Sequence, residues 1–176
     1  MPPPNDRKTL VAGARSPRMS RRRAARRLLL LCVVGALPWT VIRWSGDAGV
    51  QYGAFFAYGL GPLLGPLGER FTYLPRYLAV AIIDTYWRQA WPTGAFLYAC
   101  ALGSAALGLL GREDRRVTAG LLVMSGGAEL LYGLGLAGSR SDLLVLPVAP
   151  LLCWGVAALC YRDGLRRLVY LRPAEA

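Results

Sequence analysis

The chain has 176 residues, enough for one domain, with 55% apolar residues, 18% charged residues and a net charge of +11. Soluble domains average about 45–50% apolar and about 25% charged residues, so the composition argues against an ordinary soluble domain. Histidine is absent, which excludes Ser-His-Asp and Cys-His catalysis and removes the commonest transition-metal ligand. The four Cys residues form no CxxC pair, and we predict neither a metal site nor a cofactor.

The N-terminal segment is strongly basic. Residues 1–23 are rich in Pro and Arg and lack an apolar period, so we predict a disordered tail, with Met19 as an alternative start. Five basic side chains directly precede the apolar run that begins at residue 28, which is the position of an orientation signal at a membrane face. We assign these five as topology anchors rather than as a nucleic-acid site: Arg21, Arg22, Arg23, Arg26 and Arg27.

The first predicted membrane span covers residues 28–43, an apolar run that contains Pro38 and is followed by Trp44. It is shorter than the roughly 20 residues that cross a bilayer, but flanking Arg and Trp side chains can reach both interfaces. A basic flank and a short apolar run also fit a cleaved signal. No Ala-x-Ala site lies between Val33 and Ser45, so we predict that the segment is retained.

Residues 48–68 carry no charge and are long enough to span a membrane, yet they contain six Gly and two Pro. Gly and Pro at this density favour turns and broken backbone over a helix that faces lipid. Such backbone survives in a bilayer only where protein buries it or where it lines a cavity. We predict an outer interfacial or re-entrant segment. The alternative is that these residues form a fifth membrane span.

Three more apolar runs follow, at residues 92–110, 117–138 and 143–161, and a basic tail covers residues 163–176. With both termini in the cytoplasm, 16 of the 21 basic residues lie inside and five outside, which satisfies the positive-inside rule. A loop between the second and third runs supplies the remaining anchors, Arg112, Arg115 and Arg116. The sequence therefore predicts an all-α, four-transmembrane-helix bundle over residues 24–162, in the cell membrane.

The outer stretch at residues 43–91 concentrates aromatic and charged side chains. If the protein binds a lipid, a peptide, another membrane protein or a second copy of the chain, this stretch is the best candidate for the binding site. The other interpretation is an interfacial cap that only closes the bundle. The candidate partner-binding residues are Trp44, Asp47, Glu69, Arg70, Asp84, Arg88 and Trp91.

One ionisable residue, Glu129, lies well inside a predicted span. An ionised side chain within the bilayer costs free energy, so an ionisable residue in a membrane span is by default a candidate functional residue. The structural alternative is a protonated carboxyl that hydrogen-bonds a neighbouring helix, for which Ser104, Ser125 and Tyr132 are the nearest polar candidates. We expect Glu129 to be neutral and to face other helices.

Four short stretches resemble a known family. They are Leu-Pro-Trp at residues 37–39, Phe-Thr-Tyr-Leu-Pro at 71–75, Gln-Ala-Trp-Pro at 89–92 and the segment 112–121. Over roughly residues 24–162 the chain resembles an uncharacterised family of small multi-pass membrane proteins of halophilic archaea. Some members are encoded near an archaeosortase, a membrane transpeptidase that processes surface proteins. The resemblance implies no catalytic residue and at most a role near surface-protein processing.

Two functions from different classes remain. One is an accessory or structural membrane protein that binds a membrane partner or lipid, and the other is a small transporter or intramembrane enzyme that uses Glu129. The second needs several polar groups within the membrane, and the sequence offers one. The first, non-enzymatic function is therefore favoured.

Overall fold

The computed structural model describes residues 17–46, 49–63, 71–81 and 86–162, which form a helical body and an antiparallel sheet. The helices are α1 (Pro17–Ala36), α2 (Leu74–Ala81), α3 (Ala90–Leu107), α4 (Arg115–Ser139) and α5 (Ala149–Cys160). Short 3₁₀ helices at Tyr86–Gln89 and Gly108–Leu110 flank α3. The strands are β1 (Thr40–Gly46), β2 (Gly49–Phe56), β3 (Gly59–Pro62), β4 (Thr72–Tyr73) and β5 (Leu144–Pro147).

The sheet has the strand order β4-β3-β2-β1-β5, and every neighbouring pair is antiparallel. Strand β1, which lies between β2 and β5, opens with the β-branched run Thr40, Val41 and Ile42, which favours a pleated strand over a helix. Thr40 lies opposite Phe55 of β2 and opposite Pro147 of β5. Strand β5 therefore returns to β1 after more than 90 intervening residues.

Helices α3 and α4 run antiparallel and form the centre of the helical body. Small buried residues on both helices, such as Ala101 and Ala119, allow the backbones to approach closely. Asp114 caps the start of α4, where its side chain accepts hydrogen bonds from the backbone N–H groups of Arg116 at 2.9 Å and Val117 at 3.5 Å. This cap satisfies two of the amide groups that open the helix.

Trp39 joins α1, the sheet and α5. Its side chain is fully buried, its indole N–H donates to the carbonyl of Val34 at 3.1 Å, and its ring meets Tyr98 of α3 edge-on. The carbonyl of Trp39 accepts hydrogen bonds from the backbone N–H groups of Val148 and Ala149, each at 2.8 Å. Three elements are therefore fixed at one residue.

The predicted all-α, four-helix bundle is wrong, because the fold is mixed and contains a five-stranded sheet. The predicted span at residues 28–43 ends in β1, and the one at residues 143–161 begins with β5. The predicted interfacial or re-entrant segment at 48–68 contains β2 and β3 as far as it is described. An apolar run indicates burial, but it fits a helix as well as a strand. The pairing of β1 with β5 joins distant parts of the chain, so no short stretch of sequence indicates it.

Two helical stretches in the described part of the chain, Tyr86–Leu110 and Arg115–Ser139, are long and apolar enough to cross a membrane. They coincide with the second and third predicted spans. This is weak evidence for membrane association, because the core helices of soluble proteins have the same length and composition. The apolar helix α5 has 12 residues, about 18 Å of helix, which is short of a bilayer core.

The two predicted tails fall largely outside the described residues. Of the tail predicted to be disordered, residues 1–16 are outside, and residues 17–23 belong to α1. The predicted basic tail at 163–176 is also outside the described residues.

Candidate functional site

A pocket of about 480 Å³ lies between the helix-facing side of the sheet and the C-terminal half of α4. We call it the aromatic pocket. Apolar walls with a few converging polar groups are typical of ligand sites, and the volume is within their usual range. Its lining residues are Ile42, Trp44, Phe55, Tyr77, Trp87, Arg88, Tyr132, Leu136, Ser139, Arg140 and Leu143.

One wall of the aromatic pocket is a single face of α4. Tyr132, Leu136 and Ser139 recur at helical spacing, so they lie above one another on that face. Gly135 lies beside them and allows a close approach of Trp87. A Cβ atom at Gly135 would be only 2.6 Å from Cγ of Trp87, so the indole packs directly on the helix backbone.

Buried aromatic rings form the floor of the pocket. Trp91 is fully buried, and its ring meets Phe55 edge-on at 5.2 Å and Tyr77 at 4.6 Å between centroids. Its indole N–H donates to the carbonyl of Phe56 at 3.1 Å, which ties α3 to β2. Phe55 also meets Tyr132 edge-on at 5.1 Å. Edge-to-face pairs of this kind add about 0.5–1.5 kcal/mol each to their burial, so the floor is firmly held.

The polar side chains of the pocket include two guanidinium groups and three hydroxyls. Arg88 lies over the ring of Trp87, at 5.5 Å from its centroid, and Arg140 donates to both carboxylate oxygens of Asp142 at 3.2 and 2.8 Å. Burial raises the pKa of Tyr77, whose hydroxyl donates to the carbonyl of Arg88 at 3.4 Å. Guanidinium groups bind carboxylate and phosphate in a planar, two-pronged geometry, so this wall is suited to an anion.

Glu129 is fully buried on the side of α4 that faces α3. A Cβ atom at Gly94 would be 2.8 Å from Oε1 of Glu129, so the carboxyl lies directly against the backbone of α3. Neither carboxyl oxygen has a hydrogen-bond partner among the described residues. The hydroxyl of Ser125 donates to the carbonyl of Gly94 at 2.9 Å, and Ser104 pairs with Thr118 at 2.7 Å, so neither predicted serine partner bonds Glu129.

The structure brings together part of the predicted partner-binding set. Trp44 and Arg88 line the aromatic pocket, and Trp91 lies beneath it. Four members lie outside the described residues: Asp47, Glu69, Arg70 and Asp84. The sequence interpretation missed the α4 wall, although the spacing of Tyr132, Leu136 and Arg140 in an apolar helix was a usable signal.

The predicted topology anchors lie at the end of the helical body opposite the sheet, here called the basic end. Arg27 of α1 donates to Glu113 at 3.3 Å, and its guanidinium carbon is 5.3 Å from the centroid of the Tyr161 ring. These contacts join α1, the segment before α4 and the end of α5. The eight anchors are Arg21, Arg22, Arg23, Arg26, Arg27, Arg112, Arg115 and Arg116.

The fold and the pocket define a helical protein with an antiparallel sheet across one end and a candidate binding site where the two meet. The chain belongs to the family described as Domain of unknown function (DUF8050), whose profile matches residues 8–171. This agrees with the predicted membership of an uncharacterised family. No curated protein matches the sequence.

Proposed function

We propose that this protein is a membrane-embedded accessory protein that binds a segment of a membrane partner in the aromatic pocket. The observation that carries the proposal is the convergence of Trp44, Trp87 and Arg88 with one face of α4 around a cavity of about 480 Å³. A concave apolar site with converging polar groups is the default candidate for binding.

The outer faces of α3 and α4 support the membrane setting. In their most apolar stretches, 28% of the first helix and 44% of the second is buried. Large apolar side chains remain exposed on these surfaces, including Phe96, Met124 and Leu134. A soluble protein would cover such faces or place polar residues there, whereas lipid leaves them in a favourable environment.

The two ends of the helices suggest an orientation. Cytoplasmic segments of membrane proteins carry an excess of Arg and Lys close to the ends of the spans. The basic end fits the cytoplasmic face, with both termini on that side, α3 and α4 crossing in opposite directions and the aromatic pocket on the outer face. In this arrangement the protein crosses the membrane more than once, and four complete helical spans are not required.

The chemistry of the pocket favours an apolar peptide segment that bears a carboxylate. Arg88 supplies positive charge beside apolar walls, whereas Arg140 is already paired with Asp142. Leu143 lines the pocket and leads directly into β5, which pairs only with β1 among the described strands. An extended peptide can add to such an open sheet edge through backbone hydrogen bonds. A protein partner is therefore favoured over a lipid.

The fluorescence of Trp44 and Trp87 provides a direct binding assay. We would titrate the purified protein with a short apolar peptide that ends in Asp and with the same peptide ending in Asn amide. A saturable change is expected for the acidic peptide. Because a hydrogen bond to a charged group is worth about 1.5–3 kcal/mol, Arg88→Gln should weaken binding by tenfold or more. Arg76→Gln, an exposed charge change outside the pocket, serves as the matched control.

Three results would overturn this proposal. Equal binding of the acidic and amide peptides would remove the anion preference. An equal effect of Arg76→Gln would show that the pocket is not the site. The same saturable signal from solubilised phosphatidylglycerol would assign the pocket to a lipid.

The carboxyl of Glu129, which has no hydrogen-bond partner in the part of the chain that the structure describes, favours a second candidate, a small transporter or intramembrane enzyme. Glu129→Gln keeps the shape of the side chain and removes the ionisable proton. If the accessory function is right, this variant should keep its fold, its peptide binding and its cellular phenotype. Loss of a cellular function by a folded Glu129→Gln protein would favour the second candidate.

On the basis of the family resemblance, we also propose that the protein acts in the processing of surface proteins in halophilic archaea. Deletion of the gene, followed by measurement of the fraction of surface proteins that are fully processed, tests this role separately from the pocket. An unchanged processed fraction would contradict it. Light scattering of the purified protein would show whether a second copy of the chain is the partner.

A further inference from the structure

A second cavity, of about 700 Å³, lies at the basic end between α1 and α5. We call it the α1–α5 groove. It is separate from the aromatic pocket and shares no residue with it. Its lining residues are Arg23, Arg26, Arg27, Leu29, Leu30, Val33, Leu159 and Cys160.

The polar half of the groove carries uncompensated positive charge. Arg27 is paired with Glu113 at 3.3 Å and stacks on Tyr161. Arg23 and Arg26 form no ion pair within the described part of the chain, and none of the lining residues is acidic. Two guanidinium groups, one helical turn apart, are therefore available to an anion.

The other half of the groove is apolar and open. Leu29 is 65% exposed, Val33 is 50% exposed and Leu159 of α5 is 85% exposed. The distance along the helix from Arg26 to Val33 is about 10 Å. The groove thus has positive charge at one end and exposed hydrocarbon along the rest of its length.

We infer that the α1–α5 groove binds an acidic phospholipid. Its phosphate would lie between Arg23 and Arg26, and an acyl chain would lie along Leu29, Val33 and Leu159. Arg binds phosphate oxygens in a two-pronged geometry, and basic pockets between membrane helices on the cytoplasmic side hold acidic headgroups. A free phosphate would use the guanidinium groups but leave the apolar half exposed. The inference rests on the proposed membrane setting and does not depend on the aromatic pocket.

Native mass spectrometry of the full chain in a neutral detergent tests the inference. The protein would be titrated with phosphatidylglycerol and phosphatidylcholine that carry identical acyl chains. Because each Arg near an acidic headgroup contributes about a fivefold gain in affinity, we expect about a 30-fold preference for phosphatidylglycerol. The Arg23→Gln/Arg26→Gln double variant should lose this preference. Inorganic phosphate at millimolar concentration should not displace the lipid.

Matched variants separate the groove from general surface charge. Arg21→Gln/Arg22→Gln removes the same charge from exposed positions outside the groove and should keep the preference. Leu159→Ser should weaken the binding of both lipids several-fold, whereas Leu151→Ser, at another strongly exposed site on the same helix, should not. Equal losses in the two Arg double variants, no preference in the unaltered protein, or full displacement by phosphate would each overturn the inference.

The peptide titration of the aromatic pocket, repeated on Arg23→Gln/Arg26→Gln, keeps the two proposals distinguishable. Unchanged peptide binding is expected, because the cavities share no lining residue. A protein that binds the acidic peptide but shows no lipid preference would refute the groove alone. A protein with the lipid preference but without peptide binding would refute the pocket alone.

Discussion

The sheet end and the basic end of this protein differ in the interactions that hold the helices together. At the sheet end, Trp91 is fully buried and meets the rings of Phe55 and Tyr77 edge-on. At the basic end, an ion pair between Arg27 and Glu113 joins α1 to the segment that precedes α4. Packing therefore dominates at one end and charge at the other.

This difference has a physical consequence that experiments can measure. Contacts between buried rings depend on shape and apolar area and are insensitive to ionic strength. Ion pairs near the surface weaken with salt, because the Debye length falls from about 10 Å at 0.1 M to about 3 Å at 1 M. Variants at the two ends should therefore differ both in the size of their effect and in its response to salt.

The largest expected effect is that of Trp91→Ala at the sheet end. Removing a fully buried Trp should lower the free energy of unfolding by about 3–5 kcal/mol, with no dependence on salt. Denaturant unfolding in detergent micelles measures this. Trp154→Ala is the control, because that ring is 38% exposed, and its smaller loss should identify burial as the cause. Equal losses would contradict the importance assigned to the pocket floor.

The next prediction concerns the close approach of Trp87 to α4. Gly135→Ala would place a methyl group 2.6 Å from Cγ of Trp87, so the indole must move. Overpacking of this kind costs about 1–3 kcal/mol, and we expect peptide binding in the pocket to fall as well. Gly138→Ala, in the same helix but in open space, should be neutral. Thermal unfolding and the fluorescence titration would be measured for both variants. Equal effects of Gly135→Ala and Gly138→Ala would contradict the prediction.

At the basic end, Arg27→Gln removes the ionic partner of Glu113, whose side chain is only 8% exposed. The loss should be about 1–2 kcal/mol at low salt, because an acceptor is left buried, and smaller at high salt. The double variant Arg27→Gln/Glu113→Gln should recover part of it, and Arg21→Gln provides a control for net charge. Unfolding free energies would be measured at two salt concentrations. A loss of stability that does not depend on salt would show that the ion pair is not its cause.

Between the two ends, Glu129→Leu is expected to raise stability by about 1 kcal/mol, because it removes a buried polar group without breaking any described hydrogen bond. Ser125→Ala should have the opposite sign and cost about 0.6 kcal/mol, because Ser125 donates to Gly94. The two unfolding curves, measured side by side, test both signs. A large loss in Glu129→Leu would reveal a partner for the carboxyl.

The smallest effect is expected at the exposed pair of Arg140 and Asp142. The hydrogen bond from Arg140 lowers the pKa of Asp142, so the pair contributes above the ordinary Asp pKa of about 4 and its contribution is lost as the pH falls. Melting temperatures of the unaltered protein and of Asp142→Asn should differ slightly at neutral pH and converge in acid, as the pH falls through the lowered pKa of Asp142. A gap that persists in acid would mean that another interaction is responsible.

Part of the architecture could be predicted from the sequence, because it depends on local composition. The apolar stretches around α3 and α4, and the grouping of Arg residues at helix ends, are visible in any short window. The sheet could not be predicted in this way. Thr40 pairs with Pro147, and the apolar content of each segment fits a buried strand as well as a helix.

The candidate site follows the same division. Trp44, Arg88 and Trp91 lie in one aromatic-rich stretch, and that clustering is why the sequence assigns all three to one candidate partner-binding set. Tyr132, Leu136 and Arg140 belong to a different apolar segment, and only the docking of α4 on the sheet brings them to the pocket. Glu129 has no hydrogen-bond partner among the described residues, and the sequence could not show this, because both serines proposed as its partners bond to other groups.

The junction at Trp39 has a consequence for biosynthesis. Its carbonyl receives the amides of Val148 and Ala149, and β5 covers one edge of β1, so both depend on residues translated more than 100 positions later. Until those residues leave the ribosome, the nascent chain holds an unsatisfied carbonyl and an open strand edge, which are the features that aggregate or recruit chaperones. Synthesis of β5 and the start of α5 therefore completes the edge of β1, and truncated chains should be degraded rather than accumulate.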